Sequence, residues 1–282
     1  MTGAAGQLGS AIVRAFAGTD LVALTRADLD TADTAAVRSI VAKARPGVII
    51  NCAAFNDVDR AETTPTEALA VNAFAVRSLA RAAEACGASL VHYGSDFVFD
   101  GEASTPYDEA ARPSPRSTYA SSKLLGEWFA LDAPRAYVLR VESLFGSDAG
   151  WRGRRGTLDN IVDGLEQGRE VRVFTDRVVS PSYVEDVAAA TKYLLESGAE
   201  PGLYHCVNSG HATWHGVAEE AARQLGVTPR FKTMTMAEAA LKAPRPRYCA
   251  LSNARLAAAG FPMPAWQDAL RRWLAIRRLP AA

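Results

Sequence analysis

Three short runs in the first half of the chain are almost continuously apolar: GVIINCA (47–53), SLVHYGS (89–95) and AYVLRVESLF (136–145). A strand with so few polar interruptions suits a sheet covered on both faces, which is the usual state of a parallel sheet. Segments with helical spacing stand between them: TAAVRSIVAKA (34–44), a long stretch stopped by Gly87, and another around YASSKLLGEWFAL. LVALT (21–25) reads as a further strand. This alternation predicts an α/β fold built on a doubly wound parallel sheet.

A glycine-rich turn stands at the head of that alternation. Gly3, Gly6 and Gly9 are spaced GxxGxxG, and Gln7 and Leu8 open the helix that follows. A helix N-terminus presents backbone N–H groups to a pyrophosphate, and glycines let the backbone approach it closely. The turn therefore predicts a Rossmann-type dinucleotide site. Such a turn normally follows a central strand, whereas here only Met1 and Thr2 precede it. The expectation is a shortened first strand, with the natural chain starting a few residues earlier. Past the second strand comes TRADLD, where a carboxylate would suit the ribose hydroxyls of NAD and a guanidinium the 2′-phosphate of NADPH. Arg26 favours NADPH; Asp28 and Asp30 keep NADH open, and Asp30 and Thr31 could flank the adenine.

After Gly146 the rhythm changes. The basic loop GWRGRRG leads to a helix (157–167), the strand EVRVF, a turn at SPS, the helix VEDVAAATKYLLESG and the strand GLYHCVN. Helices are expected near 213–225, 235–242, 252–259 and 264–277. The division that follows is a dinucleotide-binding domain over 1–146, with segments returning near 177–200, and a smaller lobe formed mainly by 147–282.

Lys and Arg number 31 and Asp and Glu also 31, so the charge balance favours neither nucleic acid nor an anionic membrane as partner. No apolar run approaches the ~20 residues of a membrane span. Four scattered cysteines without a CxxC pair fit reduced thiols in a cytoplasmic protein.

The chemistry is carried by STYASSK. Tyr119 and Lys123 stand one helical turn apart on one face, and Ser95 ends the strand SLVHYGS. A ketone that receives a hydride needs a proton on the developing alkoxide. A tyrosine beside an ammonium can give it, because the positive charge favours the phenolate. Lys123 could also hold a nicotinamide ribose, and Ser95 could bond the carbonyl oxygen.

Further stretches extend the pattern: TGAAGQLG, VIINCAAFNDVDRAE, AVNA, SDFVFDG, PYDEAARPSPRSTYASSKLLGE, DRVVSPSYVEDVA, APRPRYCALSNARL and PAWQDAL. Together they resemble the extended short-chain dehydrogenase/reductases and, within them, the dTDP-4-dehydrorhamnose reductase family, over essentially the whole chain. The resemblance implies reduction at C4 of a nucleotide-diphosphate 4-keto-6-deoxysugar by hydride from NADPH, with Ser95, Tyr119 and Lys123 as the triad. It implies that Ala53 and Ala54 lie in the loop over the cofactor and that Asp96 lies beside the substrate. Arg177 and the Ser180–Pro181–Ser182 turn match a segment lining the nucleotide pocket, and Arg245 and Arg247 match a late RP element.

Two positions depart from the family pattern. Phe97 replaces a tyrosine, and Ser143 replaces the aromatic residue of an R-T-S-W run. Losing a hydroxyl and a ring from a sugar pocket alters substrate selection. Trp151 with Arg152, Arg154 and Arg155 could grip a diphosphate. His211 and His215 have the spacing of a metal pair, but Thr213 reads as an N-cap that leaves His211 outside the helix, so no metal site is expected. Two other functions remain open at this level: a non-catalytic regulatory subunit of the same fold, and a reductase of a different ketone. The partner expected is a nucleotide-sugar substrate, and a homodimer is compatible with the sequence.

Overall fold

The three apolar runs pair side by side at the centre of the molecule. The structure, a computed structural model, describes residues 1–146, 153 and 156–277. The first half contains α1 (Gln7–Ala15), α2 (Thr34–Ala44), β1 (Val48–Asn51), α3 (Val58–Thr63), α4 (Pro65–Leu69), α5 (Ala75–Cys86), β2 (Ser89–Ser95), α6 (Thr118–Leu131) and β3 (Ala136–Val141). Then follow β4 (Leu144–Phe145), α7 (Thr157–Glu166), β5 (Glu170–Phe174), β6 (Val178–Val179), β7 (Ser182–Tyr183), α8 (Val184–Glu196) and β8 (Gly202–His205). The chain continues through β9 (Ala212–Thr213), α9 (Trp214–Leu225), β10 (Arg230–Met234), α10 (Ala254–Ala258) and α11 (Trp266–Arg277).

The main sheet is parallel, in the order β1-β2-β3-β8. Successive side chains of a strand face opposite sides, and the burial follows that period. Ile50, Val91, Tyr137 and Leu139 join one core with Leu8 and Ile12 of α1 and Val187 of α8. Ile49, Leu90, Ala136 and Val138 join another with Val37 of α2 and Val76 and Leu79 of α5. Both faces are covered, as the apolar runs require. β8 returns from the second half of the chain to pair with β3, and α8 packs against α1.

Three expectations are corrected. LVALT is no strand: Leu24 alone bridges Thr2, and Thr2 in turn bridges Asn51, leaving Val22 half exposed. The helix expected near 235–242 shrinks to a 3-10 turn, Ala237–Ala239. There Asp176 Oδ1 takes the Met236 N–H at 2.9 Å, Glu238 takes that of Thr235 at 2.6 Å, and Ala240 adopts φ +44°. The long helix before Gly87 is interrupted by a π turn, Ala70–Phe74. Asn72 within it donates to the Phe55 carbonyl and to Ser122 and accepts from the Phe55 N–H.

Candidate active site

Helix α1 begins at the glycine turn, and each glycine there has a contact that a side chain would prevent. Gly3 has φ +69°, and a Cβ on it would lie 2.6 Å from the Ala53 nitrogen. A Cβ on Gly9 would overlap the Gly3 carbonyl oxygen. Gly6 is the N-cap and no side chain caps the helix, so its first turn offers backbone N–H groups at the cavity wall. This turn, a strand end on each side and α6 enclose a cavity of about 570 Å³.

Gly6, Gln7, Leu8, Ala53 and Ala54 line the cavity. Ser95 at the end of β2, Asp96 and Phe97 just after it, and Tyr119 and Lys123 of α6 also line it. Ser143 and Arg177 line it as well. Gly3 supports the loop from beneath.

Four positions named from the sequence lie elsewhere. Arg26 and Asp30 are exposed and Thr31 is buried, and none of the three lines the cavity. Arg247 is also outside it, 69% exposed and 3.3 Å from Asp176, whereas Arg245 lines it. Trp151, with Arg152, Arg154 and Arg155, lies outside the described residues.

Ser117 caps α6 by accepting from the Ala120 N–H at 3.2 Å, and this sets the phase of the helix. Tyr119 and Lys123 thereby share one face. The Tyr119 ring meets Phe97 edge to face at 5.3 Å. Lys123 Nζ donates to the Tyr93 carbonyl at 2.6 Å. Burial pushes Lys123 down to about 8, against the opposing pull of the Glu127 carboxylate. Burial likewise pushes the Cys52 thiol up to about 12, so it stays neutral beside that ammonium.

Ser95 donates to Asp96 Oδ1 at 3.0 Å and accepts from the Phe97 N–H at 3.2 Å. Arg177 stacks over the Phe97 ring at 5.2 Å. Arg245 pairs with both oxygens of Asp59, at 2.9 and 2.8 Å. That guanidinium, ahead of the opposing effect of burial, lowers Asp59 to about 2.

Two functional supports were not named from the sequence. Glu127 and Arg140 form a buried, doubly bonded ion pair, with Arg140 Nε at 3.0 Å and its terminal nitrogen at 2.8 Å from Glu127 Oε2. Glu127 Oε1 also accepts from the Ser95 N–H at 3.4 Å. An arginine inside the apolar run AYVLRV was the available signal, because a buried guanidinium requires a partner. Glu142, also buried, stands beside Asp96.

Thr213 does cap α9, accepting from the Gly216 N–H, so His211 precedes the helix. Among the described residues no helix is long and apolar enough to cross a membrane.

Comparison with known proteins agrees with this architecture along the full length. Residues 1–278 match the family described as RmlD substrate binding domain. A dTDP-4-dehydrorhamnose reductase of Streptomyces griseus is 37% identical over 280 residues, covering 96% of this chain and 90% of the relative. One from Mycobacterium tuberculosis is also 37% identical and covers 100% of this chain and 96% of its own. The crystal structure of dTDP-4-dehydrorhamnose reductase from Bacillus anthracis in complex with NADP superposes with a TM-score of 0.91 at 29% identity, covering 97% of each chain. The fold is thus the Rossmann type of the extended short-chain dehydrogenases, and the chain belongs to the RmlD substrate binding domain family, whose matching relatives include dTDP-4-dehydrorhamnose reductases.

Proposed function

We propose that the chain is an NADPH-dependent reductase of the C4 ketone of a nucleotide-diphosphate 4-keto-6-deoxysugar, of the kind that completes dTDP-L-rhamnose synthesis. One observation carries this reading: Tyr119, Lys123 and Ser95 line the same cavity as the glycine turn. A phenol, an ammonium and a hydroxyl then surround the place where a carbonyl would meet a bound nicotinamide.

The turn fits a dinucleotide because Gly3 packs directly on the Cys52–Ala53 backbone and Gly9 on Gly3, which leaves the uncapped α1 N-terminus bare of side chains at the cavity. NADPH supplies the hydride. Tyr119 gives its phenolic proton to the oxygen that becomes an alkoxide, and Ser95 donates a hydrogen bond to that same oxygen. Lys123 favours the phenolate left behind and orients the nicotinamide ribose. Asp28 folds back on Thr25, accepting from its N–H at 2.9 Å and its hydroxyl at 2.6 Å. The exposed Arg26 beside it supports NADPH over NADH.

Arg177 and Arg245, each also beside a carboxylate, put guanidinium N–H donors in the cavity wall, which supports a substrate with phosphate oxygens such as a nucleotide sugar. The four cysteines are free thiols, which supports the cytoplasm as the compartment. The two-part division of the chain and a homodimer belong to the same reading.

The test follows NADPH absorbance with dTDP-4-keto-6-deoxy-L-mannose made in place. Turnover that vanishes in Tyr119→Phe supports the assignment. No turnover with NADPH still bound would transfer the reading to another ketone, for which Phe97 and Ser143 are the residues to examine first.

A further inference from the structure

The parallel register of β2 and β3 pairs Ser95 with Val141, so the chain leaves the sheet at Asp96 and Glu142 side by side. Both carboxyls are buried, at 3% and 2% exposure. Their acidic oxygens and the Cys249 sulfur lie within 4.8 Å of one another. One oxygen of each is bonded: Asp96 Oδ1 accepts from the Ser95 hydroxyl and Glu142 Oε2 from the Ser180 N–H at 2.8 Å. The other two, Asp96 Oδ2 and Glu142 Oε1, have no close polar partner among the described residues, and the Cys249 thiol beside Asp96 is the one further side-chain donor that acts on its carboxyl. Buried acceptors without a donor are costly, and two carboxyls this close cannot both ionise cheaply, so one of them keeps a proton.

The surrounding charges make the same point. Arg177 is the cation that acts on both carboxyls. Cys249 faces the pair and Tyr248 faces Glu142, and burial raises both groups, so they remain neutral. Burial raises Asp96 and, more strongly, Glu142, with Asp96 adding to the rise in Glu142. One guanidinium balances one carboxylate, and the second carboxyl must keep its proton.

We infer that Asp96 and Glu142 hold one proton between them and that Glu142, acting through Asp96, is a positioning residue that aims the Ser95 hydroxyl. This rests on the reductase reading for the role of Ser95. Ser95 has one hydrogen, and while Asp96 is ionised that hydrogen is held on Oδ1. Transfer of the shared proton from Glu142 Oε1 to Asp96 Oδ2 leaves Glu142 ionised and Asp96 neutral. Asp96 then releases the Ser95 hydrogen, which turns to the ketone oxygen. No electrons move, and the proton count is unchanged. Glu142 does not line the cavity, so its effect on the reaction passes entirely through its neighbour.

The dyad is tested by infrared spectroscopy of the native chain, through the carbonyl stretch of a protonated carboxylic acid at neutral pH. The expected band is sensitive to deuterium oxide and is lost in both Glu142→Gln and Asp96→Asn, since either change lets the remaining acid ionise beside Arg177. Glu142→Gln is also expected to lower kcat at least about tenfold with KM held within about twofold, because the variant misaims a donor and leaves substrate binding intact. Glu142→Asp, which restores a titratable carboxyl, recovers part of kcat and the band. No band in the native chain, or a band that survives in both single variants, overturns the shared proton. Unchanged kcat in Glu142→Gln overturns the positioning role. The infrared result requires no turnover, so it stands apart from any failure of the reductase assignment.

Discussion

Lys123 Nζ of α6 donates to the backbone oxygen of Tyr93 in β2 at 2.6 Å, and the ammonium is almost wholly buried there. Its hydrogen bond ties the helix to the strand that ends at Ser95, at the cost of desolvating a charge. Burial lowers its folded pKa from 10.5 to about 8. Between those values the unfolded chain binds the proton and the folded chain does not, so this residue makes stability rise with pH above about 8. Below about 8 the full cost of charging a buried ammonium is present. Lys123→Met is therefore expected to stabilise the fold at neutral pH by roughly 1–3 kcal/mol, the upper figure being the whole shift and the lower allowing for the missing bond to Tyr93. The same variant should lose nearly all reductase activity. Urea titrations at neutral pH and in mild alkali check the sign; a less stable variant would refute it.

The cofactor turn depends on Gly9 more than on Gly6. A Cβ on Gly6 would lie 3.1 Å from the Gly3 oxygen, a tight but adjustable contact, whereas one on Gly9 would overlap that atom. Gly9→Ala is expected to push the turn away from the α1 N-terminus and weaken NADPH binding at least about tenfold. Gly6→Ala should bind more tightly than Gly9→Ala. Fluorescence titration of the reduced cofactor compares the two, and equal affinities would show that the turn adapts.

The parts of this fold that were legible in the sequence are those set by local periodicity. The three apolar runs became β1, β2 and β3 because each side chain in them meets a core on one face or the other. What the sequence hid depended on distant partners. Within LVALT only Leu24 forms a β-bridge, to Thr2, although Val22 and Leu24 also exchange backbone hydrogen bonds with Met1 and Ala4. The alanine-rich stretch near 237 favours helix by propensity, but Asp176, 60 residues away, takes one of its N–H groups. Arg230–Met234 escapes a sequence reading because its alternation is weak and, among the described residues, β5 is the strand it pairs with. At the site, the motif spacing placed Ser95, Tyr119 and Lys123 together, yet it pointed to Arg247 for the substrate, whereas Arg245 is the one that lines the cavity. That choice is made by Asp59, which holds Arg245 at the cavity, and by Asp176, which draws Arg247 outward.

Arg26 gives a direct test of cofactor choice. It is exposed and flanked by an Asp28 carboxylate already bonded to Thr25, so its guanidinium is available to a 2′-phosphate. Arg26→Ala is expected to raise the KM for NADPH about tenfold and to leave that for NADH nearly unchanged, since a charge-assisted pair is worth about 1.5–3 kcal/mol. Parallel initial-rate measurements with the two cofactors check this. An equal rise for both would place Arg26 on a part of the dinucleotide that they share.

The Glu127–Arg140 pair supports the catalytic strand and should be the most sensitive structural element near the site. Arg140 lies in β3 with its Nε and a terminal nitrogen on the carboxylate, and its guanidinium stacks over Phe99 at 5.0 Å. Glu127 packs against Gly94, where any Cβ would strike Oε1, and it accepts the Ser95 N–H. Removing the acid strands a buried cation and frees the backbone of a proposed catalytic serine. Glu127→Gln is expected to cost about 3–5 kcal/mol of stability, because breaking a buried pair leaves a charge without compensation. Replacing both partners, as Glu127→Leu with Arg140→Met, should restore much of that stability without restoring kcat, since the apolar pair packs but cannot hold the Ser95 N–H. Denaturant unfolding of the single and double variants measures the coupling. If the double variant regains full activity as well as stability, the pair is only packing, and Ser95 is held by the strand alone.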